Sequence, residues 1–120
     1  MVEYAKSFLG TKYEWGGEDS SGIDCSGLVL ECLWAIGMGP DKDMTAKQLS
    51  DWMTPHSKTE YMAPGSVLFF TTKDLVDVKH CAIAIDSEHM IEAKGGKFVR
   101  IRPIKVHDGK YFMYFLDPIK

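Results

Sequence analysis

Apolar residues fall at Leu28, Val29, Cys32, Leu33 and Ile36, the i, i+3, i+4, i+7 spacing that lays one stripe of a helix against a core. Asp24 precedes the run as an N-cap, and Gly37 follows it as a residue able to take the left-handed conformation that closes a helix. The pattern predicts a helix opening at Cys25. Val2, Ala5, Phe8 and Leu9 predict a short helix ahead of it that Gly10 closes. Thr45 with Gln48 three residues on is a capping-box signature for a further short helix running to Met53. Residues 11–24 are rich in glycine and read as turns.

The second half changes period. Alternating and short continuous apolar runs predict strands at 66–72, 80–86, 89–93, 97–102 and 111–116. Pro64-Gly65 suits a type II turn before the first of these, and Gly95-Gly96 marks a hairpin. Helices first and consecutive strands afterwards give an α+β domain spanning residues 1–120, with N-terminal helices packed on a C-terminal antiparallel sheet of about five strands.

Composition narrows the class without naming it. The chain is 45% hydrophobic and 26% charged, an ordinary profile for a globular domain. A net charge of −3 with scattered lysines gives no electrostatic footprint for nucleic acid. No apolar stretch approaches the ~20 residues needed to span a bilayer. Met1 to Gly10 lacks the apolar core of a signal peptide, so export is expected to need another route or a larger parent chain. Three cysteines cannot all pair within one chain, and reduced thiols are expected.

Of those thiols, Cys25 stands out. It opens a helix behind a capping aspartate and among small residues, Asp24-Cys25-Ser26-Gly27. Helix N-terminal N–H groups and a nearby imidazole lower a thiol's pKa and turn it into a nucleophile. His80 is the candidate imidazole. Strand alternation puts it on one face with Ala82 and Ala84, whose small side chains are expected to admit the Cys25 helix. Ile83 and Ile85 share the other face, and a partner strand that adds Ile91 and Ala93 to it needs a three-residue connection, Asp86-Ser87-Glu88. That register places Glu92 one diagonal step from His80, where it can orient the ring as the third member of a triad. His89 falls on the opposite face.

Other chemistries fit less well. His80 and Cys81 are adjacent in a strand and point apart, and His56 and His107 have no ligand-spaced partners, so no metal or other cofactor is expected. A glycosidase-like pair of Asp24 and Glu92 leaves Cys25 unexplained. Upstream, Tyr13-Glu14-Trp15-Gly16-Gly17 is either core packing and a turn or a phenol and an open backbone beside the thiol.

Together these residues resemble the NlpC-type cell-wall cysteine peptidases, a papain-like superfamily. The matching blocks are Tyr13-Glu14-Trp15-Gly16-Gly17, Asp24-Cys25-Ser26-Gly27-Leu28-Val29, Thr45-Ala46-Lys47-Gln48, Pro64-Gly65-Ser66-Val67, His80-Cys81-Ala82-Ile83 and Met90-Ile91-Glu92-Ala93. The resemblance implies a papain-like fold with Cys25 as nucleophile, His80 as general base and acid, Glu92 as orienter and Tyr13 as oxyanion stabiliser. Asp24, Ser26, Trp15 and Gly17 are implied to line the substrate site. The implied substrate is the stem peptide of peptidoglycan, cut between γ-D-glutamate and a diamino acid. Glu92 departs from the family's usual neutral residue at that place. A bare domain without a leader resembles those of phage tail-tip proteins or a fragment of a larger enzyme, so phage tail components or further domains are the expected partners besides peptidoglycan. Two rivals keep the fold: an acyltransferase or amidase using the same thiol, and a non-catalytic peptide-binding or phage-tail module.

Overall fold

The computed structural model describes residues 2–12, 18–19, 22–53, 64–71, 78–93, 98–104 and 111–116, the pairs 18–19 and the stretch 111–116 as backbone. Helix α1 (Val2–Lys6) leads into turns ending at Gly10, whose φ of 86° is the left-handed value foreseen there. Strands β1 (Glu18–Asp19) and β2 (Gly22–Ile23) pair within the stretch expected to be turns only. Two-residue strands carry no periodicity for a sequence to display; here a fully buried Ile23 and its N–H bond to the Lys12 carbonyl hold the hairpin in place.

Helix α2 (Cys25–Ala35) buries Leu28, Val29, Cys32 and Leu33 of the predicted stripe, whereas Ile36, its last member, falls at the C-cap and is exposed. It ends as its sequence requires. Gly37 takes φ 74°, its N–H bonds Trp34 O at 3.0 Å, and Met38 N–H bonds Leu33 O at 2.9 Å, the paired closure of a Schellman motif. Helix α3 (Ala46–Met53) opens on the reciprocal bonds of its capping box, Gln48 N to Thr45 Oγ1 at 3.2 Å and Thr45 N to Gln48 Oε1 at 3.0 Å.

Strands β3 (Val67–Thr71), β4 (Val78–Ala84), β5 (His89–Glu92), β6 (Arg100–Pro103) and β7 (Tyr111–Leu116) form one antiparallel sheet in the order β6-β5-β4-β3-β7. The β4–β5 register pairs Ile83 with Ile91 and Ala84 with Met90. Ile85 N–H bonds His89 O at 3.0 Å, and Asp86 Oδ1 accepts from the N–H groups of Glu88 and His89, each at 2.7 Å, which fixes the three-residue connection.

The two sheet faces bury different things. Val67, Phe69, Val78, Cys81, Ile83, Ile91 and Ala93 join α1, α2 and α3 in the larger apolar cluster. Leu68, Phe70, Ala82, Ala84 and Met90 form a second cluster, with Ile104 packed against it. This corrects one expectation: α2 lies on the Cys81–Ile83 face, not over Ala82 and Ala84. The alanines leave room that Leu68, Phe70 and Met90 fill, while β-branched Ile83 and Ile91 offer the helix more apolar surface. Strand β4 also begins earlier than predicted. Thr71 pairs with Val78 and Phe70 with His80, so Lys79 is an extra residue opposite no partner, and Val78 returns to the helix-covered face.

Candidate active site

Asp24 holds extended backbone at φ −101°, and its Oδ1 accepts from Gly27 N at 2.7 Å and from Ser26 Oγ at 3.3 Å. Cys25 is therefore the first residue of α2, where N–H groups lacking an intrahelical acceptor and the positive end of the dipole favour negative charge. Its side chain is partly exposed, whereas Cys32 and Cys81 are buried. A groove of about 550 Å³ opens at this point, with Asp24, Cys25 and Ser26 on one side and Asp43, Lys47 and Lys79 among the residues around it.

Strand β4 supplies the next groups. Cys81, facing α2, has its sulfur 3.4 Å from the carbonyl oxygen of Cys25 and within hydrogen-bonding reach of the Cys25 sulfur. His80 is nearly buried, tilted against Phe70 with ring centroids 5.8 Å apart, and also in hydrogen-bonding reach of the Cys25 thiol. Lys79, opposite no residue of β3, immediately precedes His80, and Val78 and Lys79 line the groove together with the first residues of α2.

His80 Nε2 lies 2.8 Å from Glu92 Oε1, which leaves Nδ1 as the ring nitrogen for the thiol. Glu92 is almost fully buried. A carboxylate in such a place needs several partners, and it has them: Arg102 Nη1 donates to Oε2 at 3.2 Å, and Arg100 Nε lies 3.4 Å from the same oxygen. Arg100 stands directly opposite Glu92 on β6, with Arg102 one diagonal step away.

These contacts decide the charges. The hydrogen bond with Cys81 is the largest influence on Cys25 and holds its pKa well below the ordinary thiol value; burial opposes this, and His80 adds to the lowering. Cys81 moves the other way, well above the ordinary value, because it is the donor to Cys25 and is fully buried. For His80, burial is the largest influence and disfavours the charged ring, but the bonds to Cys25 and Glu92 outweigh it and raise the pKa. Glu92 is likewise opposed by burial, yet His80 and Arg102 keep its carboxyl below the usual range. The set favours thiolate, imidazolium and carboxylate together.

The structure thus brings Cys25, His80, Glu92, Asp24 and Ser26 to one place. Tyr13, Trp15 and Gly17 lie outside the described residues. Sequence reasoning missed Cys81 as a neighbour of the reactive thiol, and Arg100 and Arg102 as partners of Glu92. Alternation in Arg100-Ile101-Arg102 does put both arginines on one face, but the hairpin expected at Gly95-Gly96, which lies outside the described residues, did not set their register to Glu92. Among the described residues, no group of three or more His, Cys, Asp or Glu is arranged to hold a metal ion, and no helix is long and apolar enough to cross a membrane.

A helix that presents a thiol to a strand-borne histidine, itself held by a neighbouring carboxylate on an antiparallel sheet, defines a papain-like α+β fold. The chain belongs to the NlpC/P60 family, whose profile matches residues 10–116. It is similar to the probable peptidoglycan endopeptidase LytE of Bacillus subtilis, with 29% identity over 72 residues and 60% of this chain. It is also similar to the gamma-DL-glutamyl hydrolase of the same organism, with 27% identity over 103 residues and 84% of this chain. It spans 20% of the first relative's length and 24% of the second's. The crystal structure of the NlpC/p60 domain of the peptidoglycan hydrolase SagA superposes with a TM-score of 0.74 over 97% of this chain and 94% of that one, at 24% identity.

Proposed function

We propose that this domain is a cysteine endopeptidase that hydrolyses amide bonds in peptidoglycan stem peptides through a thiol acyl-enzyme, cutting after γ-D-glutamate at its bond to the diamino acid. The observation that carries the reading is the continuous chain from groove to interior: Cys25 thiol, His80 imidazole, and Glu92 carboxylate at 2.8 Å.

In this mechanism the Cys25 thiolate attacks the amide carbonyl carbon, and the developing oxyanion meets the N–H groups at the start of α2. The Tyr13 phenol is the second donor proposed from the family pattern. His80, protonated on Nδ1, gives its proton to the departing amine as the C–N bond breaks and the thioester forms. A water then loses a proton to Nδ1 and attacks the thioester, releasing the acid and regenerating the thiolate. Glu92 accepts from Nε2–H throughout, fixing the ring's orientation. Asp24 and Ser26 line the groove beside the thiol and are proposed to meet the substrate's amine and backbone, with Trp15 and Gly17 completing that wall.

The charge states set the pH dependence. Activity appears as Cys25 deprotonates, below the usual thiol range, and is lost as pH rises through the elevated pKa of His80. Defined muropeptides digested with and without an added amine, and read by mass spectrometry, test the proposal. New amino and carboxyl ends at the γ-D-glutamyl bond support it. Transfer of the acyl group to the amine in place of hydrolysis identifies an acyltransferase. An unreactive Cys25 together with intact muropeptide identifies a binding module.

A further inference from the structure

Glu92 is more than a hydrogen-bond acceptor for His80. Its two oxygens are divided between different partners, Oε1 facing His80 at 2.8 Å and Oε2 facing Arg102 at 3.2 Å and Arg100 at 3.4 Å. All four side chains lie on the sheet face away from α2, in a row across β4, β5 and β6. The guanidinium of Arg102 is mostly covered, its side chain 15% exposed, whereas Arg100 is at 32%.

We propose that Arg102 is a positioning residue for His80, acting through Glu92: it fixes the carboxylate plane so that one oxygen addresses the imidazole, and it offsets the carboxylate charge so that the ring proton can still be released. This rests on the acyl-transfer role given above to His80.

The physical reason lies in the two proton transfers that His80 has to make. A buried carboxylate bonded to an imidazolium with nothing behind it holds the proton tightly, which favours the ion pair but slows donation to the leaving amine. Guanidinium groups on the far oxygen draw charge away from Oε1. Two planar guanidinium groups on the same oxygen, Arg102 at 3.2 Å and Arg100 at 3.4 Å, also hold the carboxylate against rotation, which a point charge on a flexible stem does less well. Among the described residues, the other charged groups near the ring come from the neighbouring elements. Cys25, with Asp24 at its cap, faces it from α2. Lys79 flanks it on β4, and Lys47 of α3 lines the groove. On the β3 side stands the uncharged Phe70 ring. None of these contacts Oε2.

The consequence is a definite sign for each variant. In Glu92→Gln, the arginines are left behind a neutral amide, so His80 loses an anion and faces uncompensated cations as well. Removing Arg102 in that background has to restore part of what Glu92→Gln took away. In the wild-type background the same Arg102 change leaves the carboxylate charge less offset and moves the ring in the same direction, holding its proton more tightly.

The experiment follows His80 by NMR on protein with carbon-labelled histidine, alongside the pH dependence of Cys25 alkylation by iodoacetamide, in Glu92→Gln, Arg102→Met, Arg102→Lys and the Glu92→Gln/Arg102→Met double variant. Circular dichroism checks folding. Glu92→Gln is expected to lower the His80 pKa by about 1–2 units, and Arg102→Met to raise it by roughly half a unit. The double variant is expected to lie at least about half a unit above Glu92→Gln. Arg102→Lys keeps the charge and so leaves the pKa near wild type, but lowers kcat through looser positioning. An unmoved His80 in folded Arg102→Met, or a double variant no higher than Glu92→Gln, overturns the proposal. Should Arg102→Met not fold, Arg102→Lys decides it by the drop in kcat at unchanged pKa or by its absence. The His80 titration and the Cys25 alkylation profile need no substrate, so a muropeptide left uncut refutes the proposed function without touching them, and a moved titration stands by itself.

Discussion

Cys81 and His80 are neighbours in β4, yet they belong to two differently built surfaces. The face that carries Cys81 is apolar from β3 to β5 and is covered by the helices; its residues are buried among leucine, isoleucine and phenylalanine side chains. The face that carries His80 begins with a small apolar patch and ends in a charged row through Glu92 to Arg100 and Arg102. One surface mainly holds the molecule together, with Cys81 as its point of contact to the chemistry. The other spends much of its length setting the charge of one imidazole. The Cys25 thiol stands where they meet, its pKa lowered by a residue of each face, Cys81 and His80. Apart from Cys81, which joins the two, stability and chemistry are divided by strand parity, and substitutions on opposite faces of β4 should fail in different ways.

The largest contrast is between His80→Ala and Ile83→Ala. Losing the imidazole is expected to lower turnover on the order of 10⁴-fold or more, as removal of one member of a catalytic unit does, while the fold survives. Ile83 is fully buried against α2, and its truncation should cost about 2–5 kcal/mol by cavity formation while leaving kcat and the pH limbs of the folded fraction unchanged. Urea unfolding and a pH–rate profile on both variants check this. A stability loss in His80→Ala equal to that of Ile83→Ala, or a shifted pH limb in Ile83→Ala, would break the division between the faces.

Much of this division was legible in the sequence, and the reasons are local. Asp24, Gly37 and the Thr45–Gln48 box terminate their helices through bonds between residues a few positions apart, so the sequence carries them directly. The diagonal step from His80 to Glu92 was legible because the connection between β4 and β5 is short enough for side-chain alternation to permit one register. Which face the helix covers was not. Alternation sorts residues into two sets without saying which set meets α2, and the small Ala82 and Ala84 suggested the wrong one. The bulge at Lys79 was hidden for a related reason: an extra residue in a strand shows itself only against the partner strand. Arg100 and Arg102 were hidden because their pairing to Glu92 runs through a longer connection whose register alternation alone does not set.

The three cysteines sharpen the comparison next. Cys25 and Cys32 share α2 and differ in surroundings: the first meets donors and an imidazole, whereas burial pushes the Cys32 thiol up to about 12. Iodoacetamide at pH 6 should label Cys25, at a pH where an unperturbed thiol of pKa ~8.5 is nearly inert, and leave Cys32 and Cys81 unmodified in the folded protein. Peptide mapping gives the site occupancy. In Cys81→Ala the acidic limb of Cys25 labelling should move to higher pH, since the largest influence stabilising its thiolate is gone. Labelling spread evenly over the three cysteines would mean that the fold does not distinguish their environments.

The smallest expected effect is at Asp24, where the two functions overlap in a single side chain. Its Oδ1 caps α2 by accepting from Gly27 N, and the same residue borders the groove where a substrate amine is proposed to bind. Asp24→Ala removes the cap and should cost about 1 kcal/mol of stability. Asp24→Asn keeps an oxygen for Gly27 N and removes the charge, and asparagine caps as well as aspartate, so its stability should stay close to wild type. If the carboxylate also pairs with the substrate amine, Asp24→Asn should raise KM by up to about fivefold with little change in kcat, the range for an ion pair in contact with solvent. Thermal melts and steady-state kinetics on the two variants separate the roles. A wild-type KM for Asp24→Asn would confine Asp24 to holding the first turn of α2, and an unchanged melting temperature for Asp24→Ala would remove even that part.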